Sequence, residues 1–136
     1  MMKKALILFI PFYLSMSVTG LAGQPDKKLI VYYFHRTVRC PSCLLLEDLT
    51  RHAVRSGFGP QIKTGQIELK VINIDKPDNS SFEKHYHLQF QSVVLSEVVN
   101  GDEIRWKNLA SIWDYLHEED KFFDYIQKEI HLFHEE

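Results

Sequence analysis

Cys40 and Cys43 are the only cysteines in the chain, and they stand one helical turn apart in Arg39-Cys40-Pro41-Ser42-Cys43. Two thiols at that spacing can close a small disulfide ring and reopen it with little movement of the backbone, so the chemistry to expect is thiol-disulfide exchange or soft-metal binding. The motif lies between a strand-like run, Leu29 to Phe34, and a helical one that starts at Leu44. Such a junction puts the first sulfur at a helix N-terminus, where unpaired backbone N–H groups and the helix dipole favour a thiolate. Pro41 suits the first helical turn, because the N–H it lacks would have had no partner there. Positive charge from Arg36, Arg39 and His35 pushes the same way, toward a Cys40 pKa below the roughly 8.5 of a free thiol. Cys40 is thus the expected nucleophile and Cys43 the resolving partner.

Several readings of the same residues compete. A static disulfide across so short a loop would contribute little loop-closure stabilisation. Two thiolates also suit Cu(I) or trivalent arsenic, which makes a non-enzymatic binder of a soft metal or metalloid the main alternative. Structural zinc fits poorly, since it needs four ligands and no second Cys/His pair at finger-like spacing follows. His35 is near enough to be a third ligand but reads better as a surface or capping residue. His85 and His87 flank Tyr86 on an expected helix and point about 200° apart, so they cannot chelate together. Glu47, one turn past Cys43, reads as part of a solvated face with Asp48, and secondarily as a proton relay. Cys40 and Cys43 are therefore the site residues, with no cofactor and no resident metal assigned.

The elements that must hold this motif follow from hydrophobic periodicity. Leu29 to Phe34 is apolar or aromatic throughout, as a strand covered on both faces would be. Leu45, Leu46, Leu49 and Ala53 recur at helical spacing, and Gly57-Phe58-Gly59-Pro60 is the expected stop. A second strand, Ile67 to Ile74, alternates at first and is apolar at its end, as if it began at an edge and ended in the core. Asp75 to Asn79 is turn chemistry, with Asn79 or Ser80 capping a helix through Gln89 that buries Phe82, Tyr86 and Leu88 or Phe90. Val93 to Val99 and Asp102 to Trp106 are strands joined by Asn100-Gly101, a strong hairpin signal. Asn108 is placed to cap a helix from Leu109 to Leu116, and a last helix from Glu119 to Phe133 buries Phe122, Ile126, Ile130 and Phe133. The order is β-α-β-α-β-β-α with an additional C-terminal helix. Right-handed crossover makes the first two strands parallel neighbours, in a mixed four-stranded sheet with helices on both faces.

The N-terminus has the outline of a signal peptide: Lys3 and Lys4, an apolar run from Ala5 to Met16, and a small-residue site at Gly20-Leu21-Ala22. The apolar run is shorter than a membrane span requires and contains Pro11. Export to the periplasm or beyond would leave a chain starting at Gly23, a single domain for residues 23–136 with no membrane association. There the cysteines would be found paired unless a reductant is delivered. Loss of Lys3 and Lys4 leaves 14 of the 16 basic side chains against 18 acidic ones, a net charge of about −4 with histidines neutral. No basic stripe is present, which argues against a nucleic-acid partner. The expected partner is a protein thiol or disulfide, and the oligomeric state is not legible.

The element order, with Cys-x-x-Cys at the first strand-to-helix turn, resembles the thioredoxin fold across residues 23–136, and Val71-x-Asn73-x-Asp75 resembles the end of the second strand in thioredoxins. More narrowly, Tyr33-Phe34-His35, Arg39-Cys40-x-x-Cys43, Lys107-Asn108-Leu109 and Ile112-Trp113 resemble a small family of exported thioredoxin-like proteins, labelled ArsF-type nitrophenyl-compound nitroreductase subunits. The resemblance implies a three-layer fold and a dithiol that cycles with its disulfide, as an oxidoreductase for a narrow partner or as an electron-passing subunit. Three features depart from thioredoxins. Gln91-Ser92-Val93 lacks the cis-proline that exposes backbone to substrate peptide, and a cis bond without proline costs roughly 2.5 to 4 kcal/mol, so a trans loop is expected. Leu29 to Phe34 lacks the buried carboxylate that serves the resolving cysteine. Arg39 stands where thioredoxin has tryptophan. These departures argue against a general disulfide reductase.

Overall fold

A computed structural model describes residues 23–135; residues 1–22, the segment expected as a signal peptide, lie outside the described residues. The first strand, β1 (Lys27–His35), pairs parallel with β2 (Ile67–Asn73) on one side and antiparallel with β3 (Ser92–Val99) on the other. β4 (Asp102–Asn108) completes the sheet antiparallel to β3, in the order β2-β1-β3-β4. Two long helices, α1 (Pro41–Lys63) and α3 (Glu119–Glu135), and a short one, α2 (Ser80–His85), complete the described elements together with two 3₁₀ turns. This is the thioredoxin-like three-layer arrangement implied by the resemblance, with a mixed sheet and a C-terminal helix.

β1 is apolar on both faces because both are covered. Leu29, Val31 and Tyr33 join the core formed with Leu46, Leu49, Ala53 and Val54 of α1 and Phe122, Ile126, Ile130 and Phe133 of α3. Ile30, Tyr32 and Phe34 face the opposite layer with Ile74, Tyr86, Leu88 and Val94. The four apolar positions expected to bury the last helix are its buried residues. Asn100 and Gly101 both have positive φ, 53° and 93°, the left-handed pair that a tight two-residue hairpin requires.

Four expectations change. The first helix does break within the expected Gly57-Phe58-Gly59-Pro60 stretch, at Phe58 (φ −134°, ψ 28°), whose ring is buried, but it does not end there and resumes through Pro60 to Lys63. Pro60 falls in the opening turn of the resumed segment, where its missing N–H costs nothing further. The stop is Gly65, at φ 78°. β2 remains the sheet edge along its whole length, with Ile67 its one fully buried residue, because only β1 pairs with it. The helix expected through Gln89 ends at His85, and Asn79 makes no side-chain cap; its Nδ2 donates instead to the Asn73 carbonyl at 3.0 Å. Phe90 is exposed. The segment expected as a helix from Leu109 to Leu116 is a 3₁₀ turn, Ala110–Trp113, that buries Leu109, Ile112 and Leu116.

Candidate functional site

Cys40 and Cys43 are joined as a disulfide, with Cα atoms 5.1 Å apart, at the opening turn of α1. Cys40 is the N-cap: its extended backbone (φ −84°, ψ 163°) turns the chain into the helix, and its carbonyl accepts the Leu44 N–H at 3.1 Å. The Cys43 N–H, one of the groups the helix leaves unpaired, donates to Cys40 Sγ at 3.2 Å. Pro41 occupies the first helical turn as expected. Cys40 is exposed, whereas Cys43 is 4 % exposed. The first residue of the bridge is therefore open to solvent while the second is shielded, which is the asymmetry that a nucleophile and a resolving thiol need.

The link from β1 to the motif is pinned. Asp75 accepts from the Thr37 N–H at 2.7 Å and from Arg36 Nη1 at 3.0 Å, and Arg36 Nη2 also donates to Glu83 at 2.5 Å. Asn73 Nδ2 donates to Thr37 Oγ1 at 3.0 Å, and Asn73 Oδ1 accepts the Asp75 N–H. The Thr37 N–H, with help from Arg36, holds the Asp75 carboxyl below its ordinary range. The sequence marked Asn73 through resemblance and Asp75 through resemblance and turn chemistry; their task is to tie the end of the edge strand to the loop before Cys40.

The arginines are not free charges beside Cys40 but are ion-paired. Arg36 is held by Asp75 and Glu83. Arg39 donates to Glu47, which also accepts from Arg51 Nε at 2.9 Å. Glu47 is consequently not part of a solvated face: its side chain is 15 % exposed, bridged between two guanidinium groups. Burial alone would push its carboxyl up, but the bonds from Arg39 and Arg51 outweigh burial and hold it below its ordinary value. A carboxylate so stabilised is a poor proton relay.

Beneath the motif, the hydroxyl of fully buried Tyr33 donates to the Cys43 carbonyl oxygen at 2.7 Å. Burial raises its phenol to about 12, against a lowering by Arg39 and a further raising by Glu47. In the sequence Tyr33 was marked by the narrower resemblance and by its place in the apolar strand, neither of which pointed to this bond. His35 turns its Nδ1 to the Arg36 carbonyl at 2.9 Å. His85 and His87 are exposed, as expected, on either side of buried Tyr86. Among the described residues no group of three or more His, Cys, Asp or Glu could hold a metal ion.

No cis peptide bond occurs among the described residues, so the Gln91-Ser92-Val93 loop is trans as expected. Its Gln91 carbonyl accepts the Trp113 indole N–H at 3.0 Å. Phe90 and Trp113 wall an open groove of about 650 Å³ at this end of the sheet, next to the end of β1, since Ser92 is the register partner of Phe34. Val38, Leu44 and Leu45 are exposed on the two sides of the disulfide. The buried carboxylate of β3, Glu97, is opposite Leu29 and paired with Lys27 and Arg105, at the other end of the sheet from the cysteines.

No family model and no curated protein matches the chain. Among solved structures the chain is similar to a malarial protein at 18% identity and a TM-score of 0.44, covering 74% of this chain and 96% of that one. It is also similar to a thioredoxin from Thermus thermophilus at 13% identity and a TM-score of 0.38, covering 67% and 72% of the two chains. Likenesses this distant transfer no site residue, and the fold assignment stands on the strand pairing itself.

Proposed function

We propose that this chain is an exported thiol-disulfide redox protein whose Cys40–Cys43 pair exchanges with one specific partner. The observation that carries this reading is the bridge between an exposed Cys40 and a buried Cys43 at the N-terminus of a long helix. In the reduced protein the Cys40 thiolate attacks one sulfur of a partner disulfide; the partner's bond breaks, its other sulfur leaves as a thiolate and takes a proton, and a mixed disulfide joins the two proteins. The Cys43 thiolate then attacks Cys40 Sγ, releasing the second partner thiol and closing the Cys40–Cys43 bridge. Two electrons pass from this chain to the partner, and the reverse sequence oxidises a partner dithiol. Exposed Val38 and Leu44 beside Cys40 support a protein partner over a small thiol.

Its finer resemblance to ArsF-type nitroreductase subunits supports a role as an electron-passing subunit rather than a general reductase, as do the trans loop and the absence of an acid along Leu29 to Phe34. The test is Cys43→Ser, expressed with its own N-terminal segment. The exported fraction should contain a mixed disulfide through Cys40 that vanishes on reduction and is missing from Cys40→Ser. Failure of Cys43→Ser to capture any partner overturns the reading.

A further inference from the structure

Arg39 adjoins Cys40, and Glu47 lies one helical turn past Cys43, so the Arg39–Glu47 ion pair spans the motif along the start of α1. Both side chains are mostly buried, where ion pairs are screened less than at the surface. Tyr33, whose hydroxyl bonds the Cys43 carbonyl, lies near enough to feel both charges: Arg39 lowers its phenol and Glu47 raises it. Arg39 Nε is buried with no hydrogen-bond partner among the described residues, so Glu47 leaves part of the guanidinium's donor capacity unused. Arg51 completes the group on the far side of Glu47, giving two cations and one anion.

We propose that Glu47 is a positioning residue that sets the redox poise of the Cys40–Cys43 couple by neutralising Arg39 beside Cys40. This rests on the reading that the pair cycles. Reduction converts an uncharged disulfide into a dithiol in which Cys40 can be a thiolate. A positive neighbour therefore stabilises the reduced form alone and makes the couple a stronger oxidant. With Glu47 in place, the charge of Arg39 is balanced and this bias is restrained. The other charged or titratable groups around the motif are already engaged or turned aside: Arg36 by Asp75 and Glu83, and His35 at the Arg36 carbonyl, while Asp48 is exposed on α1.

The test is the equilibrium with glutathione. One glutathione thiolate attacks Cys40 Sγ and releases Cys43; a second attacks the mixed disulfide and frees Cys40, so two glutathiones are oxidised to one disulfide as the protein gains two electrons and two protons. Glu47→Gln should shift this equilibrium about tenfold toward reduced protein, some 30 mV less negative for a two-electron couple, and lower the Cys40 thiol pKa read from thiolate absorbance. Arg39→Gln should shift both in the opposite direction. The double variant Arg39→Gln/Glu47→Gln, which retains Arg51 and the wild-type sum of charges, should return to within about threefold of wild type if the effect is electrostatic. Simple structural damage would not reverse sign between the two single variants or cancel in the double. Single variants that stay within twofold of a normal wild-type couple, or move in the same direction, overturn this inference alone. A wild-type bridge that strong dithiol reductants cannot open overturns the redox reading together with it.

Discussion

The Tyr33 hydroxyl donates a 2.7 Å hydrogen bond to the carbonyl oxygen of Cys43, tying the end of the central strand to the first turn of the helix that carries the disulfide. Tyr33→Phe keeps the ring and removes this bond, at an expected cost of about 1 kcal/mol in denaturant unfolding at pH 7. Because burial raises the phenol from 10.0 to about 12, the folded state holds its proton more tightly than the unfolded state. The stabilisation is complete below pH 10 and is lost as pH rises toward 12. Wild type should therefore lose more stability across that range than Tyr33→Phe, by an amount on the order of 2 kcal/mol. Parallel alkaline curves would show that Tyr33 contributes no linkage.

Asp75 fastens the loop before Cys40 by accepting from the Thr37 amide. Asp75→Asn should accelerate hydrogen exchange of the Thr37 amide and quicken reduction of the disulfide, with little change in global unfolding. The carboxyl is held below its ordinary value, so its contribution is present above pH 3.8 and falls away as pH drops through the lower folded value. Unchanged Thr37 exchange in the variant would assign the loop's rigidity elsewhere.

Glu103 is the hub of the layer opposite α1. It accepts from His85 Nε2 and the Tyr86 hydroxyl, each at 2.5 Å, and from Ser96. Burial would raise its carboxyl, but the bonds from Ser96, Tyr86 and His85 prevail and hold it below the ordinary value. Glu103→Ala leaves the Ser96 and Tyr86 hydroxyls without this acceptor and should cost about 2 to 3 kcal/mol in urea unfolding at pH 7. The penalty should shrink as pH falls below 4.5 and the wild-type carboxylate is itself protonated.

Gly57 lets Gln127 of α3 approach α1. A Cβ there would lie 2.8 Å from both Cδ and Nε2 of Gln127, whose Nε2 donates to the Ala53 carbonyl at 3.0 Å and to Ser56 Oγ at 3.2 Å. Alanine in place of glycine gains about 1 kcal/mol of helix propensity, but displacing the glutamine opposes that gain. Gly57→Ala should destabilise wild type, yet stabilise a Gln127→Ala background by about 0.5 to 1 kcal/mol. The same sign in both backgrounds would refute the contact as the reason for this glycine.

Local chemistry was enough to place the cysteine pair at the start of a helix. Cys-Pro-Ser-Cys after an apolar strand implies a sulfur at a helix start whatever surrounds it, because Pro41 and the unpaired N–H groups act within one turn. The hairpin at Asn100-Gly101 and the buried face of α3 were legible for the same reason, as backbone preference and 3.6-residue periodicity need no distant partner. Packing settled what local preference left open. Helix α1 breaks at Phe58, within the expected stretch, yet resumes beyond it as the Phe58 ring is buried, and the segment after Asn108 is a 3₁₀ turn around which Leu109, Ile112 and Leu116 are nevertheless buried. The electrostatics were least legible of all. Sequence counts Arg36 and Arg39 as free charges beside Cys40, but a charge acts through its distance to every other charge. Only the tertiary structure brings Asp75 and Glu83 to Arg36 and sets Glu47 against Arg39.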